Sequence, residues 1–424
     1  MIDWRCKSFP PSADGVHAAQ VHTAGWDLFD DFSTPIAVLD ASALEHNLDT
    51  MRRFCAERGV RLAPHGKTTM SPELITRQLA HGAWGMTAAT AWQARAMVTM
   101  GARRVIIANE CLDPPGLGWI VERMRDDPGL ELFVFADSSA AVRQMTLIVN
   151  QIDGGRALPV LVEVGVPGGR AGARDVASAV AVGEAIASAP GLELAGVAGF
   201  EGVIGGARDP ATLTQVRAFL ATIRTTAQEL MTRRAFRSGA PVLLSAGGSM
   251  FFDLVADQLT PASGGVGYHL PVEVVIRSGC YLTHDHGIYH ANTPLGGPDG
   301  LRPAMRVWSR VISTPQPHLV IIDAGKRDIS SDTGMPTVLA RRRDGHVTDI
   351  NNATNRGSVV DDVVVVDHFN DQHGFVHTTT PGTLQVGDLV ALGVSHPCTT
   401  FDKWRAIPVV DHEHRVIEAI RTCF

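Results

Sequence analysis

The sequence predicts an α/β chain: a (β/α)₈ TIM-like barrel followed by a C-terminal, mostly-β domain. Three observations carry this. The chain has 424 residues, of which 45% are apolar and 19% charged, enough to bury a large core. From about residue 60 to about residue 290, short apolar runs alternate with segments of helical period. From about Pro303 the pattern changes to strands separated by turn residues.

Residues 1–33 form an irregular N-terminal extension, 34–295 the barrel and 296–424 the β domain. The run Pro35–Leu39 precedes the first barrel strand and is read as an extra strand of the distant β domain. A helix starts near Ala41, with Leu44, Leu48, Met51 and Cys55 on one face, and stops at Gly59. Eight strand candidates follow: Arg61–Ala63, Gly85–Ala88, Val105–Ala108, Leu132–Phe135, Val160–Val164, Leu194–Val197, Val242–Ser245 and Val272–Val275. Between the first two, Ser71-Pro72-Glu73 reads as cap, first-position proline and first-turn acid of a helix, and Gly82 follows its last turn. In the β domain, Val307–Ile312, Leu319–Ile322, Val363–Val366 and Leu389–Leu392 are the expected strands.

Charge narrows the partners. Lys+Arg 37 against Asp+Glu 44 gives a net charge of −7, with both signs interleaved, which argues against nucleic acid or a membrane surface and for a small molecule. No window approaches ~18 consecutive apolar residues, and the chain opens without an apolar leader. The six cysteines are scattered, without a C-x-x-C pair, so a reducing, cytoplasmic setting is expected.

Three groups of residues point to chemistry. Pro64-His65-Gly66-Lys67-Thr68 lies just past the C-terminal end of the first barrel strand, where barrel enzymes keep their reactive groups. A lysine held there away from bulk water has its neutral amine favoured, as covalent bonding to an aldehyde requires. Ser245-Ala246-Gly247-Gly248-Ser249 follows the seventh strand, and Ser278-Gly279-Cys280-Tyr281 the eighth. Loops at these two positions are the usual phosphate seat of such a barrel, so the lysine and loops together imply a phosphorylated aldehyde cofactor. Arg170, after the fifth strand, is placed to face the pyridine nitrogen of such a cofactor. In Ser395-His396-Pro397-Cys398, extended backbone would point His396 and Cys398 to the same side, where imidazole and thiolate suit zinc. Two ligands are fewer than a structural zinc site uses. That leaves an open catalytic site or no metal. His373, between β strands, is a candidate substrate contact, and Asp323 and Asp332 flank a turn with Lys326 and Arg327 that could serve a substrate carboxylate across a subunit boundary.

The pieces Pro64-His65-Gly66-Lys67-Thr68, Gly247-Gly248, Gly279-Cys280-Tyr281, His373-Gly374 and His396-Pro397-Cys398 together resemble the alanine racemase-like, fold type III pyridoxal 5′-phosphate (PLP) enzymes, in the branch holding D-serine dehydratase and D-threonine aldolase. The resemblance implies that Lys67 carries the cofactor and that a divalent metal, zinc or another, sits at His396 and Cys398 near the substrate's β-hydroxyl. His-x-Cys is the dehydratase form of that pair, where aldolases have His-x-Asp. It further implies a homodimer in which one subunit's β domain closes the partner's barrel mouth. Two departures stand out: Thr69-Met70-Ser71 replaces a basic residue after the lysine motif, and Gln372 replaces an acid before His373-Gly374.

The expected reaction is elimination of the hydroxyl from a D-3-hydroxy amino acid such as D-serine, giving a 2-oxo acid and ammonia. The first rival is a metal-dependent aldolase for D-threonine or another 3-hydroxy-D-amino acid, giving glycine and an aldehyde. Racemisation ranks third, since Tyr268, Tyr281 and Tyr289 are the chain's tyrosines and none falls in the β domain. A PLP-binding protein without turnover is the alternative from outside enzymology.

Overall fold

The computed structural model describes residues 1–152, 154–261, 267–350 and 363–424. Eight strands, Arg61–Leu62, Met86–Ala88, Arg104–Glu110, Glu131–Ala136, Leu158–Val164, Leu192–Gly199, Val242–Ala246 and Val272–Ile276, pair in parallel in one sheet. The last returns to the first, with Arg61 opposite Val275. Between the first two strands, Trp84 N–H donates to the Leu62 carbonyl at 2.8 Å and Thr87 N–H to the Pro64 carbonyl at 2.9 Å, which closes the ring.

Both faces of these strands are covered, which explains their near-continuous apolar runs. Ala63, Ile106, Phe133, Phe135, Leu161, Ala198, Leu243 and Val275 fill the interior, while alternate residues pack outward beneath the helices. The helix Ala41–Arg58 begins where the Asp40 carboxylate accepts from Ala43 N–H and ends at Gly59, whose φ of 63° is left-handed. The helix Pro72–Ala80 is capped by the Ser71 hydroxyl on Leu74 N–H.

The β domain is a ten-stranded sheet among the described residues. Its strands include Met305–Gln316, Leu319–Ile322, Val364–Phe369 and Leu389–Gly393. Ile36–Asp40 also belongs to it, antiparallel to Met305–Gln316 with Ile36 opposite Trp308, and parallel to Ala406–Val410 with Leu39 opposite Val409. Sequence periodicity misses Thr337–Arg343, His346–Asp349, Gly374–Thr378, Ala406–Val410 and Val416–Arg421. The first of these carries three consecutive arginines and Ala406–Val410 a proline, so neither reads as an alternating apolar strand.

The N-terminal extension is part of this domain's core. Ile2, Val21, Trp26 and Phe32 cluster with Trp308, Ala406 and Val416. Lys7 Nζ lies 2.8 Å from Asp328 Oδ1 and 3.7 Å from the centre of the Trp404 ring.

Candidate functional site

A cavity of about 280 Å³ opens at the C-terminal end of the barrel strands. His65, Lys67, Arg170, Phe200, Gly247, Gly248 and Arg277 are among its lining residues, with Glu163 and Asn109. Two conformational features bring the lysine here. The strand Arg61–Leu62 runs on through Ala63 and His65, and Gly66–Thr68 then forms a single 3₁₀ turn. The eighth strand's loop packs directly against it: a Cβ on Gly279 would sit 2.5 Å from the His65 carbonyl oxygen, so only glycine fits.

Lys67 is exposed and makes no hydrogen bond or ion pair among the described residues. The sequence reading placed this amine away from bulk water, and the single chain corrects that: its own β domain does not cover the lysine. The ring of His65 is held neutral, well below the usual imidazole range, by burial first and then by the charges of Lys67, Arg277 and Arg170.

Arg277 was not singled out by sequence. It is buried at 6% exposure, donating to Ser245 Oγ and to the Gly199 carbonyl, each at 2.7 Å. Burial lowers its pKa to about 10, with Glu201 and Glu163 opposing, so it is a cation at neutral pH. Arg170, exposed, stacks its guanidinium 4.7 Å from the Phe200 ring centre and reaches the same cavity. Glu163 is pushed up to about 8, by burial first and then by the hydrogen bond and charge of Glu110. Glu163 thus holds its proton at neutral pH even with Arg170 and Arg277 opposing.

The two glycine loops divide their tasks differently from expectation. Gly247 N–H donates to Glu201 Oε2 at 3.0 Å and Gly248 N–H to Oε1 at 2.5 Å, so an internal carboxylate engages that pair. The main-chain N–H groups of Ser249, Gly279 and Cys280 make no hydrogen bond among the described residues, and they are the donors these loops leave for an anion. Ser245 is not such a donor: its hydroxyl donates to the Val275 carbonyl and accepts from Arg277, within the barrel wall. Tyr281 is also removed from the cavity. The backbone turns after Cys280, with His284 N–H on the Cys280 carbonyl at 2.7 Å, and this sends Tyr281 outward to Gln78 and Leu48 beneath the helices.

A second cluster adjoins the lysine loop. Donor atoms of Cys280, His396 and Cys398 all lie within 4.8 Å of one another. Cys280 Sγ is 3.6 Å from Cys398 Sγ, and Cys398 Sγ is 3.4 Å from the hydroxyl of Thr68, the residue after Lys67. His396 and Cys398 do not meet through extended backbone as sequence suggested: Pro397 is helical (φ −78°, ψ −30°) and Cys398 opens the turn Cys398–Phe401. Hydrogen bonding from Cys280, and then from His396 and Thr68, holds the Cys398 thiol well below its ordinary range despite burial, while Cys280 is pushed up. His396 Nδ1 and Asp285 Oδ2 are both buried without a partner, beside a donor set suited to a soft divalent cation. Tyr289, which the sequence reading set aside as lying outside the β domain, stands with its ring 5.5 Å from that of His396.

His373 is elsewhere, exposed on a hairpin turn, its carbonyl accepting from Asn370 N–H. Asp323 is structural, accepting from Thr34 Oγ1, Ser309 Oγ and Arg310 N–H. Asp332 accepts from Ser330 and Thr399 hydroxyls and acts electrostatically on His396. Arg277, Glu163 and Glu201 had a sequence signal that periodicity discards, namely a lone charge within or just past an apolar strand.

The residues fit PLP: an unpaired amine, a cation and free main-chain amides line or flank one cavity of suitable size. The comparisons agree. The alanine racemase N-terminal domain model matches residues 39–255, and a putative serine dehydratase domain model matches residues 304–410. D-threonine aldolase of an Arthrobacter species is 28% identical over 380 residues, 89% of each chain. The crystal structure of D-threonine aldolase from Filomicrobium marinum superposes with a TM-score of 0.73 at 25% identity, covering 92% of this chain and 95% of that one. D-threo-3-hydroxyaspartate dehydratase from Delftia sp. HT23 gives a TM-score of 0.71 at 22% identity, covering 92% and 97%. By sequence the Delftia dehydratase is 30% identical over 166 residues, 39% of this chain and 42% of its own. A D-threo-3-hydroxyaspartate dehydratase variant with cysteine replaced by alanine, in the metal-free form, superposes with a TM-score of 0.70 at 21% identity, covering 92% and 97%. The chain belongs to the alanine racemase N-terminal domain family and is a fold type III PLP enzyme carrying a serine dehydratase-type domain at its C-terminal side.

Proposed function

We propose that this PLP-dependent lyase eliminates the hydroxyl of a D-3-hydroxy amino acid, with a divalent metal at His396 and Cys398, releasing a 2-oxo acid and ammonia. The observation that carries the reading is the donor cluster one residue from Lys67, joined to it through Thr68. In keeping with it, a D-threo-3-hydroxyaspartate dehydratase whose fold this chain shares has been described as a cysteine-to-alanine variant in a metal-free form.

When bound, the cofactor supplies an electron-accepting ring for charge at Cα, and the metal supplies a Lewis acid for the departing β-oxygen. The chain's own residues do the rest. The Lys67 amine holds the cofactor and, once displaced by substrate, takes the Cα proton. Arg277, fixed by Ser245 and Gly199, keeps a cation at a set place in the cavity, and neutral His65 adds an uncharged wall beside it. The amides of Ser249, Gly279 and Cys280 are the phosphate donors. A homodimer, with a partner's β domain over the exposed Lys67, would exclude water from the amine and favour its neutral form.

The aldolase reading keeps one specific support, the 28% identity to a D-threonine aldolase along 89% of the chain. The two differ in which bond breaks. D- and L-forms of serine, threonine and 3-hydroxyaspartate, incubated with cofactor- and metal-loaded protein, are expected to give ammonia and a 2-oxo acid from a D-form. Glycine and an aldehyde would establish the aldolase instead. Lys67→Ala is expected to abolish both turnover and the visible absorbance of the lysine-bound cofactor.

A further inference from the structure

We infer that Cys280 is a third protein ligand of the metal, making this a two-thiolate, one-imidazole centre with one exchangeable position. The inference rests on the metal reading above and goes beyond it, since the family resemblance supplies only His396 and Cys398.

Geometry is the main argument. Two sulfurs each about 2.3 Å from a tetrahedral zinc stand about 3.8 Å apart. The Cys280 and Cys398 sulfurs are separated by 3.6 Å, and the imidazole donor completes a group within 4.8 Å. Burial is the second. Cys280 is 5% exposed, and its sulfur meets the Cys398 thiol and the Thr68 hydroxyl at 3.8 Å. As a free thiol it would be inert filling. With a cation it becomes a charged ligand whose partner ions are already in place, and Thr68 can donate to the sulfurs.

Position gives the third argument. Cys280 ends the loop after the eighth barrel strand, whereas His396 and Cys398 come from the β domain. A metal held by all three joins the two domains. It would also fix the loop whose Gly279 and Cys280 amides have no hydrogen-bond partner among the described residues, so one residue could offer its N–H to an anion and its sulfur to the metal. Two thiolates and an imidazole select zinc, cadmium or cobalt over magnesium and manganese. On binding, the thiol protons leave to solvent as the S–metal bonds form.

The test uses full-length, cofactor-loaded protein stripped of metal and titrated with Cd²⁺ alone, following thiolate-to-cadmium charge-transfer absorbance. Wild type should show about twice the intensity of Cys280→Ser, with Cys398→Ser likewise reduced by about half and the double variant silent. Zinc-edge X-ray absorption of wild type, which needs no variant, should report two sulfurs. Full intensity in Cys280→Ser, or a single sulfur at zinc, overturns the role of Cys280 and leaves the metal reading intact. Full intensity in both Cys398→Ser and His396→Ala overturns the metal reading itself, and this inference with it.

Discussion

The Thr68 hydroxyl stands 3.4 Å from the Cys398 sulfur, one peptide along from Lys67. The loop that presents the amine therefore also supports the metal cluster. Thr68→Val keeps the shape and removes the hydroxyl. It should leave the cofactor's visible absorbance in place while lowering metal affinity roughly 10–100-fold, as loss of an outer-shell hydrogen bond does. Unchanged affinity in a competitive chelator titration would remove Thr68 from the site.

Glu163 makes stability depend on pH. Its folded pKa of about 8 lies above the ordinary 4.5, so the folded chain holds a proton that the unfolded chain has released between those values. Stability contributed by protonated Glu163 falls as pH rises through that window and levels off above it. Glu163→Gln should flatten the decline, melting at or above wild type near pH 9 with little difference near pH 5. Parallel melting curves across the range would show that Glu163 does not hold its proton in the folded chain.

Gly279→Ala tests the contact between the two cofactor loops. The added methyl meets the His65 carbonyl at 2.5 Å and His65 Cβ at 2.9 Å, and the first of these is backbone that cannot rotate away. Overpacking of this kind costs ~1–3 kcal/mol, and the loops must separate to relieve it. Weaker PLP affinity with a modest fall in melting temperature is expected from equilibrium titration and calorimetry. Wild-type affinity would show that the loops move without consequence.

Lys7→Met examines the N-terminal extension. Lys7 Nζ donates to Asp328 Oδ1 and to the Arg327 carbonyl, both at 2.8 Å, and Asp328 is 2% exposed. Gln372 and Gly325 still donate to that carboxylate, which limits the loss. A destabilisation of about 1–3 kcal/mol in urea unfolding is expected. Less than a few tenths would mean that the extension is merely draped on the sheet.

The barrel was legible because parallel strands buried on both faces read as apolar runs, and Lys67 because it directly follows the first of them. The candidate metal pair was legible from His396-Pro397-Cys398, but the second sulfur beside it was not. Cys280 is remote in sequence, and only the turn after it sends its sulfur toward Cys398 while Tyr281 goes the other way. Arg277 and Glu163 were hidden because periodicity treats a charge in an apolar run as noise, although inside a barrel such a charge must find partners. Half of the β domain escaped notice because its strands are short or interrupted: Thr337–Arg343 ends in three arginines, and Ala406–Val410 carries a proline although every one of its residues is buried.

The strand Ile36–Asp40 precedes the whole barrel in the chain, yet its two neighbours, Met305–Gln316 and Ala406–Val410, both follow it. Until those later strands are made, this hydrophobic ribbon has no edge to dock on. Cutting the gene between barrel and β domain would therefore yield not two modules but two fragments with unpaired edges, liable to aggregate.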